Sequence, residues 1–267
     1  MRETGAPAQK IDLLTLIGLV LLLDPLLTIL HEVVGHGGAC LLTGGTVKAL
    51  GAHSVDCASA TVGDTRIVAL AGAAADMICG AACYLLWRFV TKPLFRTALW
   101  MAVVTKLLLA AGYLLFSGVL NVGDFSIGAG RPLGRLPDPD AWRIGFALVG
   151  LAGYIFVIQL ARRMLREMLG GGAAIFPAQR RIPLTLYFVT AVVTLLTAVR
   201  SPAKNTALLS LAATFGGLAG LVSVAFRQPP VGEPQAFVIP RSWPVIVAGT
   251  ILTAAFVLVL GASIRLA

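Results

Sequence analysis

Residues 13–42 read LLTLIGLVLLLDPLLTILHEVVGHGGACLL. A bilayer's hydrocarbon core, about 30 Å thick, is crossed by roughly 20 apolar residues in a helix. This stretch is therefore a membrane helix, and a longer one than a single crossing requires. Its ionisable side chains are Asp24, His31, Glu32 and His36. Charge at membrane depth is costly, so groups kept there point to function.

The rest of the chain agrees. It has 267 residues, 58% of them hydrophobic and 12% charged, with mean hydropathy +0.89. Soluble domains carry about 25% charged residues, so the fold class is an all-α polytopic membrane protein embedded in a lipid bilayer. Apolar stretches fall at Leu13–Leu42, Ile67–Val90, Thr97–Leu120, Ile144–Leu160, Pro183–Val199, Ala207–Phe226 and Val245–Leu260. That gives about six to seven transmembrane helices. The apolar run after Lys10 lacks a clear cleavage site and is expected to stay as a helix. Thr43–Asp64 opens on Gly44-Gly45 and alternates small and β-branched residues, which predicts a short β-hairpin after the first helix. Asn121–Ala141, rich in Gly, Pro and Asp, predicts a loop.

Net charge is +9. Arg88, Lys92 and Arg96 follow the second helix, and Arg162, Arg163, Arg166, Arg180 and Arg181 follow the fourth. With Arg2 and Lys10 they share one side, which the positive-inside rule makes cytoplasmic, together with the N-terminus. Arg200 and Lys204 run against this placement. No soluble basic module is present, so no nucleic-acid partner is expected. Four cysteines form no disulfide framework: Cys79 and Cys83 read as packing residues, whereas Cys40 and Cys57 can pair in an oxidising compartment.

Two imidazoles and a carboxylate within His31–His36 are the parts of a metal-hydrolase site. Zinc hydrolysis needs three protein ligands, an open position for water and a nearby base. The usual helical arrangement is H-E-x-x-H, with histidines four apart on one face. Here they are five apart. On a regular helix this turns His36 about 500°, or about 140° away from His31, and one ion cannot be reached by both. Three local structures bring the groups back into play. A π-bulge at Gly35, the preferred reading, stacks His36 under His31. A helix end near Gly35 with a turn at Gly37-Gly38 is the second. In the third, Glu32 and His36 are the ligands and His31 supports them. The plainer alternative to all three is hydrogen bonding inside a helix bundle.

LHEVVGHGGACLLTGGTVKAL resembles the first signature of the site-2 protease family of intramembrane zinc metalloproteases, and LAGAAADMICGAACYLL resembles that family's second helix. The likeness covers Leu13 to Leu86; beyond it only hydropathy agrees. It implies Zn2+ as cofactor, His31 and His36 as metal ligands and Glu32 as catalytic base. It also implies hydrolysis of a peptide bond in or near a transmembrane segment of a membrane protein substrate, through metal-activated water. The extra residue between the histidines departs from the family pattern.

In that family the third ligand is an aspartate on a later helix, in a motif absent here. The nearest echo is Leu120-Asn121-Val122-Gly123-Asp124, which makes Asp124 the leading candidate and Asn121 a supporting residue. Asp76, in the small-residue second helix, is the alternative ligand, or else a support for an imidazole paired with Lys106. His53 is a weaker candidate. Asp24, seven residues before His31, shares its face and can orient an imidazole or relay protons. On this reading residues 1–142 form a metal-site core of three helices and 143–267 a helical scaffold. A function from another class also fits: a non-catalytic membrane protein, either a proton or metal transporter or an inactive peptidase relative binding membrane partners.

Overall fold

The computed structural model describes residues 9–266, so Arg2 lies outside the described residues. Helix α1 (Leu13–Leu42), α2 (Val62–Trp87), α3 (Pro93–Leu120), α4 (Pro139–Leu169), α5 (Phe176–Arg200) and α6 (Lys204–Phe226) are long and apolar enough to cross a membrane. A seventh helix, α7 (Trp243–Val259), has 17 residues, the lower limit for a span.

Two small strand clasps show that α7 also runs the length of the bundle. Strand β1 (Gln9–Ile11) pairs in parallel with β4 (Phe237–Ile239), so α1 and α7 start at the same end. At the other end β2 (Thr46–Leu50) and β3 (Val55–Ala58) form the expected hairpin, and β5 (Ile264–Arg265) pairs antiparallel with β2. Between the clasps α1 and α7 lie side by side. A Cβ on Gly18 would stand 2.6 Å from the Ile246 Cα, so only a glycine allows this approach. Asp12 caps α1, accepting from the Thr15 backbone N–H, and also pairs with Arg241. The cap's N–H bond holds the Asp12 carboxyl below its usual range.

One end of the bundle therefore carries the hairpin, and the other carries Lys10, Arg88, Lys92 and Arg96. The main apolar core lies nearer the second end, where Leu16, Leu19 and Val20 of α1 meet Trp100, Met101 and Val104 of α3.

Two expectations need correcting. The fourth helix runs from Pro139 to Leu169, past the stretch Ile144–Leu160, so Arg162, Arg163 and Arg166 lie on its last turns and not in a connection. The fifth begins at Phe176, before Pro183, with Pro177 in its first turn. Charged residues end a hydropathy segment without ending a helix, because arginine is a good helix former. Cys40 and Cys57 form a disulfide that ties the end of α1 to the hairpin; Cys79 and Cys83 remain thiols.

Candidate metal centre

Within α1, residues Leu30–Gly37 form a π-helix. Its i→i+5 bonding adds one residue to the turn and returns His36 to the face of His31. The His36 Nε2 stands 3.2 Å from the His31 Nε2, with the rings edge to face. The backbone can bulge here because α2 comes so close. A Cβ on Gly35 would lie 2.9 Å from the Gly72 Cα, and one on Gly72 would strike both imidazoles. Two glycines in contact thus make room for two rings. The helix-end alternative fails, since helical backbone continues through Gly38 to Leu42.

The hydrogen bonds of each ring fix its tautomer. The His31 Nδ1 is 3.0 Å from Asp76 Oδ2, and the His36 Nδ1 is 2.7 Å from the Val68 carbonyl oxygen. A carbonyl only accepts, so His36 donates from Nδ1; an ionised Asp76 draws the same from His31. The two Nε2 atoms then face each other at 3.2 Å, a spacing that either a shared proton or a metal ion between them satisfies.

Asp124 completes the group. Its Oδ2 lies 3.6 Å from the His36 Nε2 and 4.0 Å from the His31 Nε2. Tetrahedral zinc with ligands at about 2.0–2.1 Å separates neighbouring donors by about 3.3–3.4 Å. The three observed separations bracket that value, and His31, His36 and Asp124 are able to hold a metal ion. Asp124 sits on the connection after α3, and Asn121 positions it. Asn121 ends the helix in the left-handed region (φ 53°), its amide donates to the Ile127 carbonyl, and its Oδ1 accepts from the Ile127 N–H. The residue is both a helix cap and the clamp of the loop that carries the carboxylate.

Asp76 stands behind His31, not at the triad. One of its oxygens meets the His31 Nδ1, and the other accepts from the Lys106 Nζ at 2.6 Å. Both residues are only 2% exposed. With both oxygens engaged, Asp76 holds the His31 ring from behind and does not face the triad, and Lys106 balances its charge.

Asp24 does not orient an imidazole, because both Nδ1 atoms have other partners. It lines a small cavity of about 80 Å3 with His31, Asp76 and Lys106. Glu32 is buried, and its Oε2 has no hydrogen-bond partner among the described residues. It lines the small cavity and also a larger one, about 290 Å3, shared with His36, Asp124 and β3. Glu32 lines both cavities beside the three converging donors and has a buried oxygen with no protein partner, which fits a group that works on water or a ligand.

Tyr113, His53 and Ser210 line both cavities with Glu32. His53 does not join the triad. Its ring is buried in the hairpin turn with Nε2 unpartnered among the described residues, and burial pushes its pKa below the usual value. Tyr113, whose ring lies 6.1 Å from that of His31, escaped the sequence reading. It stands seven residues after Lys106 and so on the same face, a signal that was available. Ser210 on α6 and Thr194 on α5 come from the region read as scaffold. Those two helices wall the site.

No family of known proteins, no curated protein and no solved structure matches the chain.

Proposed function

We propose that the protein is an intramembrane zinc metallopeptidase that hydrolyses a peptide bond in or near a transmembrane segment of another membrane protein. One observation carries the reading: two Nε2 atoms and a carboxylate oxygen converge at 3.2–4.0 Å beside a buried glutamate oxygen without a partner. His31, His36 and Asp124 would hold zinc, which would supply a Lewis acid for the scissile carbonyl and for activating water near neutral pH.

The protein's own groups do the rest. Asp76 and the Val68 carbonyl hold the imidazoles in the tautomer that keeps Nε2 free. Glu32 takes the proton from the attacking water through its unpartnered oxygen and returns it to the leaving amine nitrogen. The substrate enters the larger cavity unwound, since a helix hides its own carbonyls. The N-terminus lies in the cytoplasm, and the Cys40–Cys57 disulfide belongs on the opposite, oxidising side, in keeping with the arginine-rich end.

The polar chamber around Asp24 favours a second reading, a proton or metal transporter. Against it, α1 continues from Asp24 toward the arginine-rich end through buried apolar Leu16, Leu19 and Val20, which leave a dead end.

Bound zinc and peptide-bond hydrolysis in the purified wild type, Glu32→Gln and His36→Ala test the proposal. A peptidase keeps its metal but loses turnover in Glu32→Gln, and loses both in His36→Ala. A wild type free of zinc that still moves protons or metal ions across vesicles overturns it in favour of the transporter.

A further inference from the structure

At the end of the bundle opposite the hairpin lies a further, larger cavity of about 740 Å3. Its polar wall combines Arg162, Arg163 and Arg166 from the last turns of α4 and Arg227 just past α6 with Gln159, Gln179 and Gln228. No aspartate or glutamate lines it. Its apolar wall includes the buried side chains of Leu165, Ile175 and Val224.

Some cations of the protein are matched by a side chain: Lys106 meets Asp76, Arg241 meets Asp12, and Arg180 and Arg96 stack on aromatic rings. Around this cavity the matching is incomplete. Arg163 pairs with Glu167, but Arg166 and Arg227 have no side-chain partner among the described residues. Arg162 is clamped through its Nη2 to Ser223, leaving a buried Nε without an acceptor. Arg163, Arg166 and Arg227 are exposed and water screens part of their repulsion; an anion seated among the four guanidinium groups would relieve the rest.

The cavity is a built feature. Residues 227–231 line one side of it, and the segment 227–235 is tied down along its length. The Gln179 amide donates to the Arg227 carbonyl at 2.6 Å, the Gly172 N–H to Pro230, the Gly171 N–H to Glu233, and the Gln235 N–H to Leu169. Gly172 (φ 84°) supplies backbone that other residues rarely adopt. The rim carries Val231, an apolar residue 97% exposed. Arginine above an apolar wall, at the depth where three helices leave the hydrocarbon, suits a phosphate diester whose acyl chains stay in the bilayer.

We propose that this cavity binds the headgroup of an anionic phospholipid, with Arg162 and Arg227 as its main contacts. The full chain in detergent is titrated with short-chain phosphatidylglycerol, short-chain phosphatidylcholine and glycerol phosphate, and binding is read by native mass spectrometry. Phosphatidylglycerol is expected to bind about tenfold tighter than phosphatidylcholine. Arg162→Gln with Arg227→Gln removes that preference, while Arg88→Gln with Lys92→Gln, on the same end but outside the cavity, leaves it in place. If the double variant does not fold, Arg166→Gln alone, at an exposed position, weakens phosphatidylglycerol about threefold with an unchanged melting temperature. Equal loss in the Arg88/Lys92 control, equal binding of the two lipids, or glycerol phosphate binding as tightly as phosphatidylglycerol overturns the assignment; the last would make the ligand a soluble phosphate ester.

Discussion

The two ends of the bundle handle charge in opposite ways. At the hairpin end, buried ionisable groups are chained within hydrogen-bonding distance: Lys106 to Asp76, Asp76 to His31, His31 to His36. At the other end, four arginines line a space, and two of them, Arg166 and Arg227, have no side-chain partner among the described residues. A closed chain of charges costs little only while complete, whereas an open ring of one sign waits for something from outside. The first arrangement holds a site's geometry, and the second recruits a ligand.

The largest expected effect breaks the closed chain. Lys106→Met leaves a buried carboxylate with half its partners and lowers stability by about 3–5 kcal/mol. Adding Asp76→Asn recovers most of that loss, because the charge is removed with its partner. Arg166→Met at the other end shifts stability by no more than about 0.5 kcal/mol. Thermal or denaturant unfolding in one detergent compares the three, and equal losses at both ends would dissolve the contrast.

Gly72→Ala comes next. Its methyl strikes both imidazoles, and His36 cannot retreat without breaking its bond to the Val68 carbonyl. The cost is about 1–3 kcal/mol, as for other overpacked contacts, and bound metal falls with it in metal analysis. Asn121→Ala sharpens the contrast differently, leaving the histidines alone and freeing the loop that carries Asp124. Metal affinity drops about tenfold or more in competition with a chelator, and the left-handed cap without its amide costs about 1–2 kcal/mol in unfolding.

The smallest effect concerns His53. Burial keeps its ring neutral, so the unfolded chain, with a pKa of about 6.5, takes up a proton before the native state does. The stability from the neutral ring is intact above about pH 6.5 and fades as pH falls toward the depressed native value. Between pH 7.5 and 5.5 the wild-type melting temperature should drop about 2 °C more than that of His53→Gln. An identical drop would show that His53 does not titrate on unfolding.

Hydropathy made the helices legible, because a span needs length and apolarity and little else. Their ends were less so: Arg162 to Arg166 and Arg180 to Arg181 continue helices past the hydrocarbon, where composition no longer reports on backbone. The motif His31–His36 was legible as chemistry, and Gly35 pointed to where the backbone would have to bulge. The role of Asp76 was not decidable from its own helix. Whether it binds metal or orients His31 depends on Lys106, thirty residues on, and on which face α3 turns to α2. Ser210 and Thr194 carried no signal at all, since a lone hydroxyl in an apolar helix looks the same at a cavity as against lipid.

The π-helical turn is in effect one residue added to a helix whose two ends stay where they were. Val34 is 58% exposed, and deleting it would leave the histidines four apart on an ordinary α-helix with the following register unchanged. The two spacings are therefore neighbours in sequence space, separated by the gain or loss of a single codon. Either one can present the same pair of nitrogens to the same point.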